Sequence, residues 1–137
     1  MLKIKKLLSI RSEKKAVIAF LKELQDVINA DDFNIDSSLI IIKSEKEDPQ
    51  YTTRYTMADL EYDSDDVADR LKELTFREYS ETLFDKDDDK PPLLFVFGKN
   101  INSRLVYIKV KIKGKERKRI LCLSFHYAKH DMEFPYA

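Results

Sequence analysis

At 137 residues, with 43% hydrophobic residues but only two glycines and four prolines, the chain fits one domain spanning 1–137, with one core and little room for flexible linkers. Its 25 basic and 25 acidic residues cancel, and a lone cysteine, Cys122, excludes an internal disulfide and points to a reducing compartment, here the cytoplasm. No apolar run has the length of a membrane span, and the basic start MLKIKKLLSIRSEKK lacks the apolar stretch and cleavage site of a signal peptide, so no membrane association is expected.

The neutral total conceals an uneven distribution. Residues 1–30 carry 7 Lys/Arg against 3 Asp/Glu, residues 31–92 carry 8 against 19, and residues 93–137 carry 10 against 3. A basic C-terminal third points to a nucleic-acid or acidic partner, or to basic and acidic parts that face each other within the fold.

Residues 13 to 29 predict an amphipathic helix, with Val17, Phe20, Leu21, Leu24, Val27 and Ile28 at three- and four-residue spacings and Ser12 as N-cap. The β-branched run Leu39 to Ile42 predicts a short strand, and the turn-rich stretch after it, containing Pro49, an exposed loop. DSDDVADRLKEL predicts a second helix, capped by Asp63 or Ser64, with Asp65 and Asp66 in its first turn and Val67, Ala68, Leu71 and Leu74 facing inward. TFREYSETLF places Glu78 three residues after Thr75, the spacing of a capping box, and predicts a further short helix.

From residue 93 the period changes. LLFVFGKN, RLVYIKVKIK and KRILCLSFHY are three strand-like runs joined by short turns, as in an antiparallel meander. In the middle run Val106, Ile108, Val110 and Ile112 share one face, and Tyr107, Lys109, Lys111 and Lys113 the other. Continued alternation puts Leu121, Leu123, Phe125 and Tyr127 in the core, and Cys122, Ser124 and His126 outside. The expected result is a surface patch of Tyr107, Lys109, Lys111, Ser124 and His126 on a rigid sheet.

That patch has the residue types for RNA. Lysines bind phosphates, a tyrosine stacks on a base or donates a hydrogen bond, and a histidine moves protons near neutral pH. Cleavage through the 2′-hydroxyl needs a base, a cation beside the phosphorane and an acid for the leaving 5′-oxygen, with no metal or other cofactor. The plainer alternative is a solvated sheet face whose lysines discourage aggregation. Other chemistries fit poorly. DKDDDK at 85–90 lacks the glycine and glutamate of a calcium loop, His126, His130 and Cys122 are badly spaced for zinc, and two glycines cannot build a phosphate-binding or dinucleotide fingerprint.

The motif order LTFREYSETLFD, LLFVFGK, VYIKVKI and CLSFHYA resembles the MqsR family of bacterial toxins, within the wider RelE-like group, most specifically over residues 71–127. The resemblance implies an α/β (α+β) fold with helices on one side of a twisted, mainly antiparallel sheet. It also implies a metal-independent mRNA endoribonuclease, silenced by an antitoxin protein. The family's strand tyrosine and lysine match Tyr107 and Lys109. Two positions depart from the pattern, His126 and Ser80, where the family carries lysines; a histidine can serve as proton donor or phosphate contact, and Arg77 stands near Ser80. The expected catalytic residues are therefore His126, Tyr107 and Lys109, with Lys99, Lys111, Ser124 and Arg77 binding RNA and no metal ligands. The rival is a non-catalytic RNA- or protein-binding module using the same sheet face. A further alternative makes the acidic segment 57–89 the interaction surface. The tail from 128 to 137, with His130 and Tyr136, is left without a role.

Overall fold

The alternation that begins at residue 93 builds the centre of a six-stranded sheet. The computed structural model describes residues 7–45, 48–85 and 93–137, which form strands β1 (Leu7–Ile10), β2 (Leu39–Ile41), β3 (Tyr79–Asp85), β4 (Leu94–Ile101), β5 (Arg104–Lys113) and β6 (Arg119–Tyr127), and helices α1 (Lys14–Asn29), α2 (Thr53–Leu60) and α3 (Ser64–Lys72). The strand order is β1-β3-β4-β5-β6-β2, antiparallel throughout except for β2, which runs parallel to β6. None of these helices is long and apolar enough to cross a membrane. The acidic run at 86–90 lies outside the described residues.

The β4–β5 hairpin turns on Asn102 and Ser103, both at positive φ (51° and 67°), the backbone of a two-residue turn whose twist matches the strands. One sheet face carries Phe95, Phe97, Val106, Ile108, Val110, Ile120, Cys122 and Phe125 into a core shared with Val17, Leu21 and Leu24 of α1 and Val67, Ala68 and Leu71 of α3. Phe20 stacks on Phe95 with ring centroids 4.0 Å apart. Full burial of each such side chain stabilises by roughly 1.5–3 kcal/mol. α3 begins at the expected cap: Asp63 accepts from the Asp66 amide, and Asp66 accepts from the Asp63 amide in return.

Four expectations are corrected. Ser12 does not cap α1: Glu13 holds the N-cap position without a side-chain bond, and the Ser12 hydroxyl instead meets Thr82 Oγ1 at 2.7 Å while its amide donates to the Tyr79 hydroxyl. The capping box at Thr75 and Glu78 exists but launches only the single 3₁₀ turn Phe76–Glu78. The residues after it, Tyr-Ser-Glu-Thr-Leu-Phe, then pair as β3 between β1 and β4, because aromatic and β-branched side chains suit a pleated surface.

The stretch expected to be an exposed loop contains α2. Its buried face is made largely of threonines: Thr53 Oγ1 accepts from the Phe125 amide at 3.1 Å, and Thr56 Oγ1 from the Tyr127 amide at 3.0 Å. β2 pairs with β6 only as far as Cys122, so α2 supplies acceptors to the strand edge that β2 leaves uncovered.

The last correction concerns side-chain parity in β6. Lys109 pairs with Ser124 but Val110 pairs with Cys122, so Leu123 is the extra residue of a bulge. Cys122 and Ile120 therefore enter the core, and Leu121 and Leu123 move toward the outer face.

Candidate active site

The face of the sheet turned away from the core cluster forms the floor of a cleft of about 1150 Å³. Cross-strand register arranges it in two rows. One runs Glu81, Val96, Lys109, Ser124 across β3, β4, β5 and β6; the next runs Gly98, Tyr107, His126 across β4, β5 and β6. Ser9 and Arg11, the segment around Tyr51 to Thr53, and tail residues Lys129 to Glu133 form the walls.

Tyr107 and His126, directly opposite on neighbouring strands, stack with ring centroids 5.2 Å apart and an interplanar angle of 14°. His126 Nδ1 lies 2.9 Å from the Tyr127 carbonyl oxygen. A carbonyl only accepts, so Nδ1 carries a proton and Nε2 is the nitrogen left to exchange one with a ligand. Burial, reinforced by the Glu81 charge, pushes the Tyr107 phenol up to about 12, so at neutral pH it is a hydrogen-bond donor rather than a base. Burial pulls the Lys109 ammonium below its ordinary value, against the opposing pull of Glu81. Lys109 forms no ion pair among the described residues, though the Glu81 charge acts on it from two strands away.

Tyr107, Lys109, Ser124 and His126 are thus brought together. Lys111 lies further along β5, opposite Leu121 and outside the cleft lining. Lys99 and Arg77 are placed elsewhere. Lys99 pairs across strands with the core residue Val106, and its Nζ lies 3.2 Å from Glu78 Oε2. Arg77 sits in the turn after α3 with its guanidinium 5.2 Å from the Phe76 ring centre. Cys122 is fully buried, and burial pushes its thiol up to about 12, which disqualifies it as a nucleophile.

Sequence reasoning misses Ser80 as an inserted residue, Glu81, Arg11 and the tail. Ser80 and Glu81 reach the cleft because of a second bulge. Tyr79 pairs with Phe97 while Glu81 pairs with Val96, so Ser80 is inserted and the parity of β3 reverses. Regular alternation from Tyr79, with Ser80 opposite Val96, would instead point Glu81 into the core. Ser9 Oγ donates to Glu81 Oε2 at 2.9 Å. The cleft therefore mixes Arg11, Lys109 and Lys129 with Glu81, Asp131 and Glu133, and is not the purely basic patch expected.

The tail folds back over the sheet because β4 has a glycine there. A Cβ on Gly98 would lie 2.7 Å from Phe134 Cζ and 2.9 Å from Met132 Sδ. Lys129 is tied to Asp48 at 3.3 Å, and the Tyr136 hydroxyl donates to the Ser12 carbonyl at 2.7 Å while its ring stacks on Tyr79. His130 lines the cleft. Comparison of the chain with protein-family models, with curated proteins and with solved structures finds no match.

Proposed function

We propose that this chain is a toxin-like endoribonuclease that cleaves single-stranded mRNA without a metal, acts in the cytoplasm and is neutralised by an antitoxin protein. The observation that carries this reading is the stacked Tyr107–His126 pair beside Lys109, on the floor of a cleft large enough for more than one nucleotide. Lys109 would sit against the non-bridging phosphate oxygens, Tyr107 would donate to or stack at the scissile nucleotide, and His126 Nε2 would transfer a proton. Cleavage forms a bond from O2′ to phosphorus and breaks the bond to O5′, giving a 2′,3′-cyclic phosphate and a 5′-hydroxyl. A six-stranded, mostly antiparallel sheet with α1 and α3 packed on one face is in keeping with the RelE-like arrangement that the MqsR resemblance implies.

Induced expression in a bacterial host tests the reading. Growth arrest with loss of bulk mRNA, relieved by Tyr107→Phe, Lys109→Ala or His126→Ala in soluble protein, is the expected result. Normal growth and intact mRNA at high soluble expression would reject it. One observation favours the rival, a non-catalytic module: the carboxylates in the cleft weaken its attraction for a polyanion. RNA binding through Arg11 and Lys109 must fall with salt, by about 0.7 in log–log slope per phosphate contact on a single strand. A protein-binding module shows no RNA affinity to lose.

A further inference from the structure

We infer that Glu81 is the general base of this site and His126 its general acid, an assignment that rests on the ribonuclease reading and gives each end of the cleft floor a separate role. Three observations carry the assignment. The bulge at Ser80 sets Glu81 opposite Val96 on the cleft floor, where regular alternation from Tyr79 would have turned it to the core. Leu123 plays the same part in β6, where its insertion keeps Ser124 and His126 on that face while Cys122 enters the core. Irregularities thus flank the reacting row on both sides, at the strands that contribute the two proton-transfer groups, as bulges do where they re-aim a side chain. Finally, Ser9 Oγ holds one carboxylate oxygen, Oε2, leaving Oε1 for a ligand, and the Glu81 charge reaches both Tyr107 and Lys109.

Glu81 and His126 line the same cleft from β3 and β6, three interstrand steps and one row of the sheet apart, about 16 Å at the backbone, with Lys109 and Tyr107 between them. Base and acid on opposite sides of phosphorus are what an in-line displacement requires. The Glu81 carboxylate takes the 2′-hydroxyl proton, O2′ attacks phosphorus, and Lys109 faces the charge that develops. As the bond to O5′ breaks, the imidazolium of His126 gives its Nε2 proton to that oxygen. Its Nδ1 proton stays hydrogen-bonded to the Tyr127 carbonyl throughout. The step leaves Glu81 protonated and His126 neutral, and exchange with water restores both.

The test separates base from acid by the leaving group. Single-stranded RNA with sulfur in place of the scissile 5′-oxygen expels a thiolate, which leaves without a proton. With ordinary RNA, Glu81→Gln and His126→Ala should each lose about 10²- to 10⁴-fold in cleavage rate. With the sulfur substrate, His126→Ala should recover to near the wild-type rate while Glu81→Gln stays impaired. Binding of uncleavable 2′-O-methyl RNA should not weaken in Glu81→Gln, which removes a negative charge from the cleft. Ser9→Ala, at an exposed edge, should show a smaller loss that the sulfur substrate also fails to restore. Glu81→Gln at the wild-type rate on ordinary RNA, or recovery of Glu81→Gln on the sulfur substrate, would overturn the assignment while leaving the ribonuclease reading in place. Failure of the wild type to cleave either substrate would overturn both.

Discussion

Cys122→Ala turns the bulge in β6 into a measurable pH effect. A thiol ionises near 9.0 in an unfolded chain, and burial raises it to about 12 in the folded one. Below pH 9 both states keep the proton and the full stability is present; as pH rises from 9 toward 12 only the unfolded state ionises, and stability is lost. At pH 10.5 that loss is about 2 kcal/mol, approaching about 4 kcal/mol at pH 12. The raised phenols of Tyr107 and Tyr127 act in the same direction and the lowered ammonium of Lys109 in the opposite one, but all three are common to wild type and variant. At pH 7 the variant should be less stable by about 1 kcal/mol, for the packing lost with the sulfur. By pH 10.5 the order should reverse. Urea unfolding followed by far-ultraviolet circular dichroism, under reductant, measures both. Parallel loss of stability in the two proteins would refute the placement of Cys122 in the core.

Other consequences are as direct. Thr53→Val and Thr56→Val each strip a buried β6 amide of its acceptor and should cost about 1–3 kcal/mol in urea unfolding; unchanged stability would show that α2 does not complete the strand edge. Gly98→Ala sets a methyl against Phe134 and Met132, so it should cost about 1–3 kcal/mol and expose the bond after Lys129 to trypsin; cleavage unchanged from wild type would mean that the tail does not rest on β4. In Tyr107→Phe the phenolate absorbance gained between pH 8 and 11 should match that of the wild type, because Tyr107 ionises only near 12; loss of one tyrosine's share of that signal would place Tyr107 in open solvent.

Elements are legible in the sequence to the extent that their signals are local. α1, α3 and the β4–β5–β6 meander announce themselves by period, and the pairing of Tyr107 with His126 and of Lys109 with Ser124 comes from adjacent antiparallel strands. α2 is hidden because threonines replace the apolar stripe that marks a buried helical face. β3 reads as a helix because a capping box is a statement about one turn and does not fix the conformation of the residues beyond it. That helical reading conceals Glu81, and the bulges cannot be read from alternation either, since a single inserted residue reverses every side chain past it, as the misplacing of Cys122 shows. Lys99 and Arg77 are suggested by charge and proximity in sequence, whereas the cleft selects by strand face. The seat of the tail is marked only by Gly98. A lone glycine in a strand does not say which distant segment will cover it, and here Met132 and Phe134 supply that cover from the end of the chain.

The most direct test of the central claim is cleavage of a labelled single-stranded RNA by the purified chain in the presence of a chelator, with the new ends identified chemically. The expected products end in a 2′,3′-cyclic phosphate and a 5′-hydroxyl, with no cleavage where the scissile nucleotide is 2′-deoxy and a rate lower by about 10²- to 10⁴-fold in His126→Ala. Intact RNA, or products ending in a 3′-hydroxyl and a 5′-phosphate, would contradict it.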